Sequence, residues 1–219
     1  MQNDIQTATN HLATLWYYGL RALVIVATLY FLVHGNWLNA LSSAFILLLM
    51  LTPAFLRKKY DVYIPFELEL AISSFVYVTL FLGSLNNYYE RFAWWDALLH
   101  LQSGILLGTV GYVLIYILNE TQTGRLTLSP FFVSFFAACF SIAMGVIWEL
   151  YEFAVDNAFG FNMQRNGLQD TMHDLILNTT GAIVIALIGY IWTRWRLRVP
   201  FTPRRLAGSR YDRGEKKTA

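Results

Sequence analysis

Six long apolar runs dominate the chain, at residues 15–34, 37–56, 66–86, 95–118, 131–156 and 171–193, with short polar connections between them. Each run approaches the ~20 residues a helix needs to cross a hydrocarbon core of ~30 Å. In lipid the backbone has no water to bond with, so runs of this length predict helices. The expected fold class is all-α, a polytopic transmembrane bundle of about six spans. Polar residues interrupt the last three runs with helical periodicity. At about 100° per residue, positions three, four or seven apart share a stripe. Glu149, Glu152 and Asp156 fall on one stripe with Gly145. Asp96, His100, Ser103 and Gly111 form a second, and Asp170, Asp174, Asn178 and Gly181 a third. Small residues on such stripes let helices approach closely in lipid. The carboxylates are therefore expected to face protein.

Composition strengthens this reading. The 219 residues are 56% hydrophobic and 14% charged, against about a quarter charged in soluble domains, and mean hydropathy is +0.44. The spans leave no room for a separate soluble domain, so residues 1–196 are expected to form one membrane domain. Residues 197–219 are expected to be a basic, largely disordered cytoplasmic tail containing Pro200, Pro203 and Gly208. The first fourteen residues lack a basic leader region, so the first span is expected to remain as an anchor. Cys139 is the lone cysteine, which excludes an internal disulfide and a cysteine metal site.

Arg57, Lys58 and Lys59 follow the second span, and the tail from Arg194 is densely basic. The connections on the opposite side carry only Arg91 and Arg165 among Lys and Arg. By the positive-inside rule both termini are expected in the cytoplasm, with the protein in the inner (plasma) membrane. The tail then serves as a topology anchor touching anionic lipid, and no nucleic-acid partner is implied.

With that topology the polar stripes converge at the outer leaflet. An ionised side chain at mid-bilayer costs roughly 2.5–3.5 kcal/mol, and clustered carboxylates also repel one another. A divalent cation relieves both penalties. Asp96, His100, Glu149, Glu152, Asp170 and Asp174 are the expected metal ligands, with Glu149 and Glu152 also expected to be catalytic. Asp156, His173, Asn178 and Ser103 are expected to support them or touch substrate. Oxygen-rich ligation favours Mg²⁺ or Mn²⁺, with Zn²⁺ or Fe²⁺ as alternatives; no residue is assigned to an organic cofactor. Asp96 and Asp170 also suit helix N-caps, and Thr171 with Asp174 fits a capping box.

The patterns D-x-x-x-H, W-E-x-x-E-F and FG-x-N-M-Q-x-x-G-L-x-D-T-M-x-D-L, with a following GA, carry Asp96, His100, Glu149, Glu152, Asn162, Met163, Gln164, Gly167, Asp170, Thr171, Asp174 and Gly181. Over the last three spans this resembles the YjdF-like family of integral inner-membrane proteins. The resemblance implies a multi-pass membrane protein and no particular reaction.

The function expected from the residues is metal-dependent hydrolysis or group transfer on a lipid or lipid-linked substrate. Membrane lipids are the expected surroundings. H-E-x-x-H, Walker A and G-x-S-x-G patterns are absent from the sequence. The alternatives are a cation, proton or small-solute transporter, with Glu67 and Glu69 as the inner half of a pathway, and a non-catalytic partner or sensor subunit. For an enzyme, the outer pocket should be closed beneath by Leu107, Gly111, Met144, Leu177 and Gly181.

Overall fold

The computed structural model describes residues 2–60, 64–121, 128–160, 162–165 and 167–195. The chain runs through α1 (Gln2–Val33), α2 (Trp37–Tyr60), α3 (Phe66–Val76), a π-helical continuation of α3 (Tyr77–Leu85), the short α4 (Tyr88–Arg91), α5 (Trp95–Thr121), α6 (Pro130–Phe159) and α7 (Leu168–Arg194). The described residues contain no strand, and six helical stretches are long and apolar enough to cross a membrane. The expected all-α polytopic fold is what forms. The tail expected to be disordered, at 197–219, lies outside the described residues.

Side chains are distributed as lipid solvation requires. Leu29, Phe45, Leu48, Phe135, Ile147, Leu150 and Leu187 point outward and are exposed. The interior instead collects small and polar groups. On α6 the buried set is Ser134, Ala137, Ser141, Gly145, Glu149 and Glu152, and on α7 it is Asp174, Asn178, Gly181 and Ala182. The stripes read from the sequence are thus the packing faces.

The α5–α6–α7 unit is held by backbone approach. A Cβ on Gly104 would press on the carbonyl oxygen of Asn178, and one on Gly181 on the carbonyl oxygen of Leu101. A Cβ on Gly145 would collide with the Asn178 side chain. Asn178 donates from Nδ2 to Ser103 Oγ at 3.1 Å, and Ser141 donates to the Gly104 carbonyl at 2.8 Å. Tyr112 fills the space over Gly189 and donates to Ser134 Oγ at 2.7 Å. In lipid, where apolar burial drives no association, contacts like these hold helices together.

α1, α2 and α3 form a second unit around Leu20, Val24, Ile46 and Met50. A polar knot ties its three helices. Arg21 lies 3.8 Å over the Tyr17 ring and donates to the Met50 carbonyl at 2.7 Å. The Tyr17 hydroxyl donates to Glu69 at 2.9 Å, and Arg57 pairs with Glu69 at 2.7 Å. Glu69 is almost wholly buried and its carboxylate is occupied by these partners.

The two units meet mainly where α3 passes α5 and where α4 folds onto α5. The π-helical stretch lies beside this seam. Such widened turns are rare and recur at functional sites. Gly83 within it makes room for the ring of Tyr89, which a Cβ at that position would strike.

Candidate metal centre

Three helix ends build the site. α5 delivers Asp96 and His100 one turn apart, α6 delivers Glu149 and Glu152, and α7 delivers Asp174. His100 Nε2 stands 3.5 Å from Asp96 Oδ1 and 3.8 Å from Asp174 Oδ2. Its other ring nitrogen, Nδ1, stands 3.8 Å from Glu149 Oε1. One ligand atom each from Asp96, His100 and Asp174 lies within 4.8 Å of the others. Around a Mg²⁺ at ~2.1 Å, neighbouring ligands stand ~3.0 Å apart and opposite ones ~4.2 Å, so such a set would need the side chains to close by up to ~0.8 Å. His100, Glu149, Glu152 and Asp174 are buried, and Asp96 is half-buried.

The ring of His100 divides these groups by role. Nε2 faces the two aspartates, and Nδ1 faces Glu149. Metal-ligating histidines usually donate their second ring N–H to a carboxylate, which fixes the tautomer and the ring plane. Glu149 faces the ring nitrogen turned away from the two aspartates, at 3.8 Å. Among the described residues, neither of its carboxylate oxygens accepts a hydrogen bond. The ion pairs of Asp96, Glu149 and Asp174 all run to His100. One imidazole is thus shared by three carboxylates, an arrangement that suits either a bound cation or protonation of some of the acids.

The remaining expected residues take different places. Glu152 is buried and accepts from the Trp148 indole N–H at 2.9 Å. Asp156 accepts from the backbone N–H of Met163 at 2.8 Å and of Gln164 at 2.9 Å, so it anchors the connection folded over the site. Asp170 accepts from the backbone N–H of Arg165 at 3.1 Å. His173 is exposed on α7, and Asn178 with Ser103 forms the helix staple one turn deeper. The capping-box expectation is corrected. Gly167, with φ +57°, precedes α7, which starts at Leu168, so Thr171 already lies inside the helix. There it accepts from Gln164 Nε2 at 2.8 Å.

Tyr89 and Arg165 at the mouth were not anticipated as site residues, and Gln164 beside them entered only through the family pattern. Gln164 clamps the connection to α7, Arg165 lies 5.2 Å over the Tyr89 ring, and Tyr89 itself roofs the site. Burial, and after it the carboxylates of Asp96 and Glu152, push the Tyr89 phenol above its ordinary range. It stays protonated and keeps an O–H to donate. These residues sit in connections, whose sequence carries no periodicity.

A mouth cavity of about 170 Å³ is lined by Tyr89, Asp96, Trp148, Glu152 and Arg165. Below it an apolar cavity of about 310 Å³ runs from His100 and Ser103 down between Ile72 and Val110. Leu107 and Met144, expected to close the floor, line this second cavity. The tight contacts of Gly181 and Gly111 close the α6 and α7 side. On the α3 side the space continues, lined at depth by apolar residues apart from Thr52 and without a charged group.

Fold and site together define a multi-pass membrane protein with a buried carboxylate and histidine cluster at one end of its bundle. The chain belongs to the family described as "Predicted membrane protein (DUF2238)", whose model matches residues 14–195. This agrees with the resemblance to an uncharacterised family of integral membrane proteins. The chain is also 29% identical over 127 residues to a Thermotoga maritima protein described as "Uncharacterized protein". That alignment covers 58% of this chain and 64% of the relative, so the chain spans just under two thirds of the relative's length. No solved structure matches.

Proposed function

We propose that Asp96, His100 and Asp174 hold one divalent metal ion, oriented by Glu149, and that the site hydrolyses or transfers a group on a lipid or lipid-linked substrate. The observation that carries this reading is the convergence of three ligand atoms within 4.8 Å, beside a buried Glu149 carboxylate that accepts no hydrogen bond from the described residues. The oxygen-rich set suits Mg²⁺ or Mn²⁺. When bound, the metal supplies Lewis acidity and an activated water. Glu152, facing the mouth beside Asp96, is placed to accept a proton, and the Tyr89 hydroxyl to donate one. The positive-inside pattern puts the centre at the outer leaflet of the plasma membrane, with both termini in the cytoplasm.

Buried carboxylates within a span also favour a transport reading. Of its inner half, Glu69 is occupied by Arg57 and Tyr17, and Glu67 is exposed. The cavity between the two acidic regions is largely apolar and holds no carboxylate. The enzyme reading therefore stands first. It is tested by the metal content of detergent-purified protein. Wild type should carry about one divalent ion per chain. Asp174→Ala should lose it, and Glu149→Gln should bind it ~10–100-fold more weakly, as loss of an orienting carboxylate does elsewhere. Equal metal content in all three proteins would overturn the assignment.

A further inference from the structure

We propose that the apolar seam between α3 and α5 holds the hydrocarbon chain of an amphiphile whose anionic head lies beneath Arg165 at the metal centre. This rests on the reading of the site as a lipid-processing centre, and it names the substrate class.

The seam is continuous in its lining. The 310 Å³ cavity that opens at His100 and Ser103 shares Ile72 and Val110 with a deeper cavity of about 510 Å³, which reaches Pro53, Leu56 and Ile117. At ~1.5 Å per helical residue, the lining from Ser103 to Ile117 extends ~21 Å, most of a ~30 Å hydrocarbon core. Each cavity alone falls within or near the roughly 300–1,000 Å³ of small-molecule sites.

Within the α5–α6–α7 unit the helices touch through small residues. α5 and α7 meet through Gly104 and Gly181, backbone on backbone. α3 and α5 instead face each other through Ile72, Phe75, Leu106 and Val110, and space is left between them. An apolar groove left unfilled forfeits dispersion contacts and does not attract water. Within a bilayer the material that fills it is a hydrocarbon chain.

The upper end selects the head. The mouth and the apolar cavity share Tyr89 and Trp148, so a molecule crossing that boundary passes from polar to apolar lining. Arg165 lines the mouth with Glu90, Asp96 and Glu152; among the described residues its guanidinium enters no ion pair within 4 Å, so it is the group there that can meet an anionic head, together with a bound metal. A guanidinium presents paired donors to a phosphate or carboxylate. Head recognition by Arg165 and the metal, with the chain in the seam, points to a phosphate monoester or a carboxylate on a long alkyl chain.

The test uses full-length protein in phosphatidylcholine nanodiscs, with bound probe counted by native mass spectrometry. The probes are hexadecyl phosphate, hexadecanoate, hexadecanol and inorganic phosphate. One hexadecyl phosphate or hexadecanoate should be retained per chain, at least tenfold better than hexadecanol or inorganic phosphate, and the retained probe identifies the head. Val110→Trp, which fills the narrowing shared by both cavities, should weaken retention at least tenfold. Arg165→Ala should abolish the preference for charged head over alcohol. Leu107→Phe gives a second, milder plug. Mn²⁺ binding by the same variants should remain at the wild-type level, which certifies their folding and separates the chain from the metal reading. Retention unchanged by both plugs, or a head preference intact in Arg165→Ala, would overturn the proposal even if Mn²⁺ binds as expected.

Discussion

At Gly104 a single hydrogen separates two backbones. A Cβ there meets the carbonyl oxygen and carbon of Asn178 and the nitrogen of Ala182, none of which can rotate away. Gly104→Ala should therefore force α5 from α7 and destabilise the protein by ~1–3 kcal/mol, the usual penalty of overpacking. Gly19 on α1 faces open space, and a Cβ there would meet no heavy atom within 4 Å. Gly19→Ala should be neutral or slightly stabilising, because alanine is the better helix former. Thermal unfolding of the two variants in one detergent checks the contrast, and equal losses would contradict it. The His100 ring makes a similar point about chemistry. Its two nitrogens face different carboxylates, so Glu149 and the aspartates act on opposite sides of one imidazole.

Among the elements, the connection from α6 to α7 ties sequence motif to site. α6 begins with Ser129 capping the Phe132 N–H and Pro130 in the first turn, and it ends at Gly160 with φ +69°. Asp156 then gathers the backbone N–H groups of Met163 and Gln164. Asp156→Ala removes both acceptors and should loosen the connection, measured as faster tryptic cleavage after Arg165. An unchanged cleavage rate would count against Asp156 as its anchor. The spans themselves were legible because length and hydropathy suffice to find them, and the stripes because Gly145, Glu149 and Glu152 keep helical spacing. The start of α7 was misplaced by three residues, since Gly167 sets it through backbone conformation and the Thr171–Asp174 pattern suggested a cap. The roles of Tyr89 and Arg165 were illegible for a related reason: connections take their shape from partners such as Asp156 and Gly83, which no helical pattern announces.

On the scale of the whole molecule, two three-helix units adopt different packing chemistry. One is knotted by Arg21, Tyr17, Arg57 and Glu69, and the other is drawn together by glycines. Hydropathy could not reveal which spans are neighbours, and so it could not reveal the seam. If all six candidate spans cross, both ends of the helical path lie on one face and the acidic cluster on the other. With Arg57, Lys58 and Lys59 on the first face, a phosphatase reporter fused after Ala219 should be inactive, because phosphatase folds only outside the cytoplasm. An active fusion would invert the account and place the cluster on the cytoplasmic side.

The central claim is that His100 and two aspartates from α5 and α7 bind one metal ion. Pulsed electron paramagnetic resonance on Mn²⁺-loaded protein measures this directly, through the coupling of the ion to an imidazole nitrogen. One Mn²⁺ per chain with a single histidine-nitrogen coupling is expected. The coupling should vanish in His100→Gln, and the bound Mn²⁺ should be lost in Asp174→Ala. Mn²⁺ that shows no nitrogen coupling, or a coupling that survives in His100→Gln, would contradict the account.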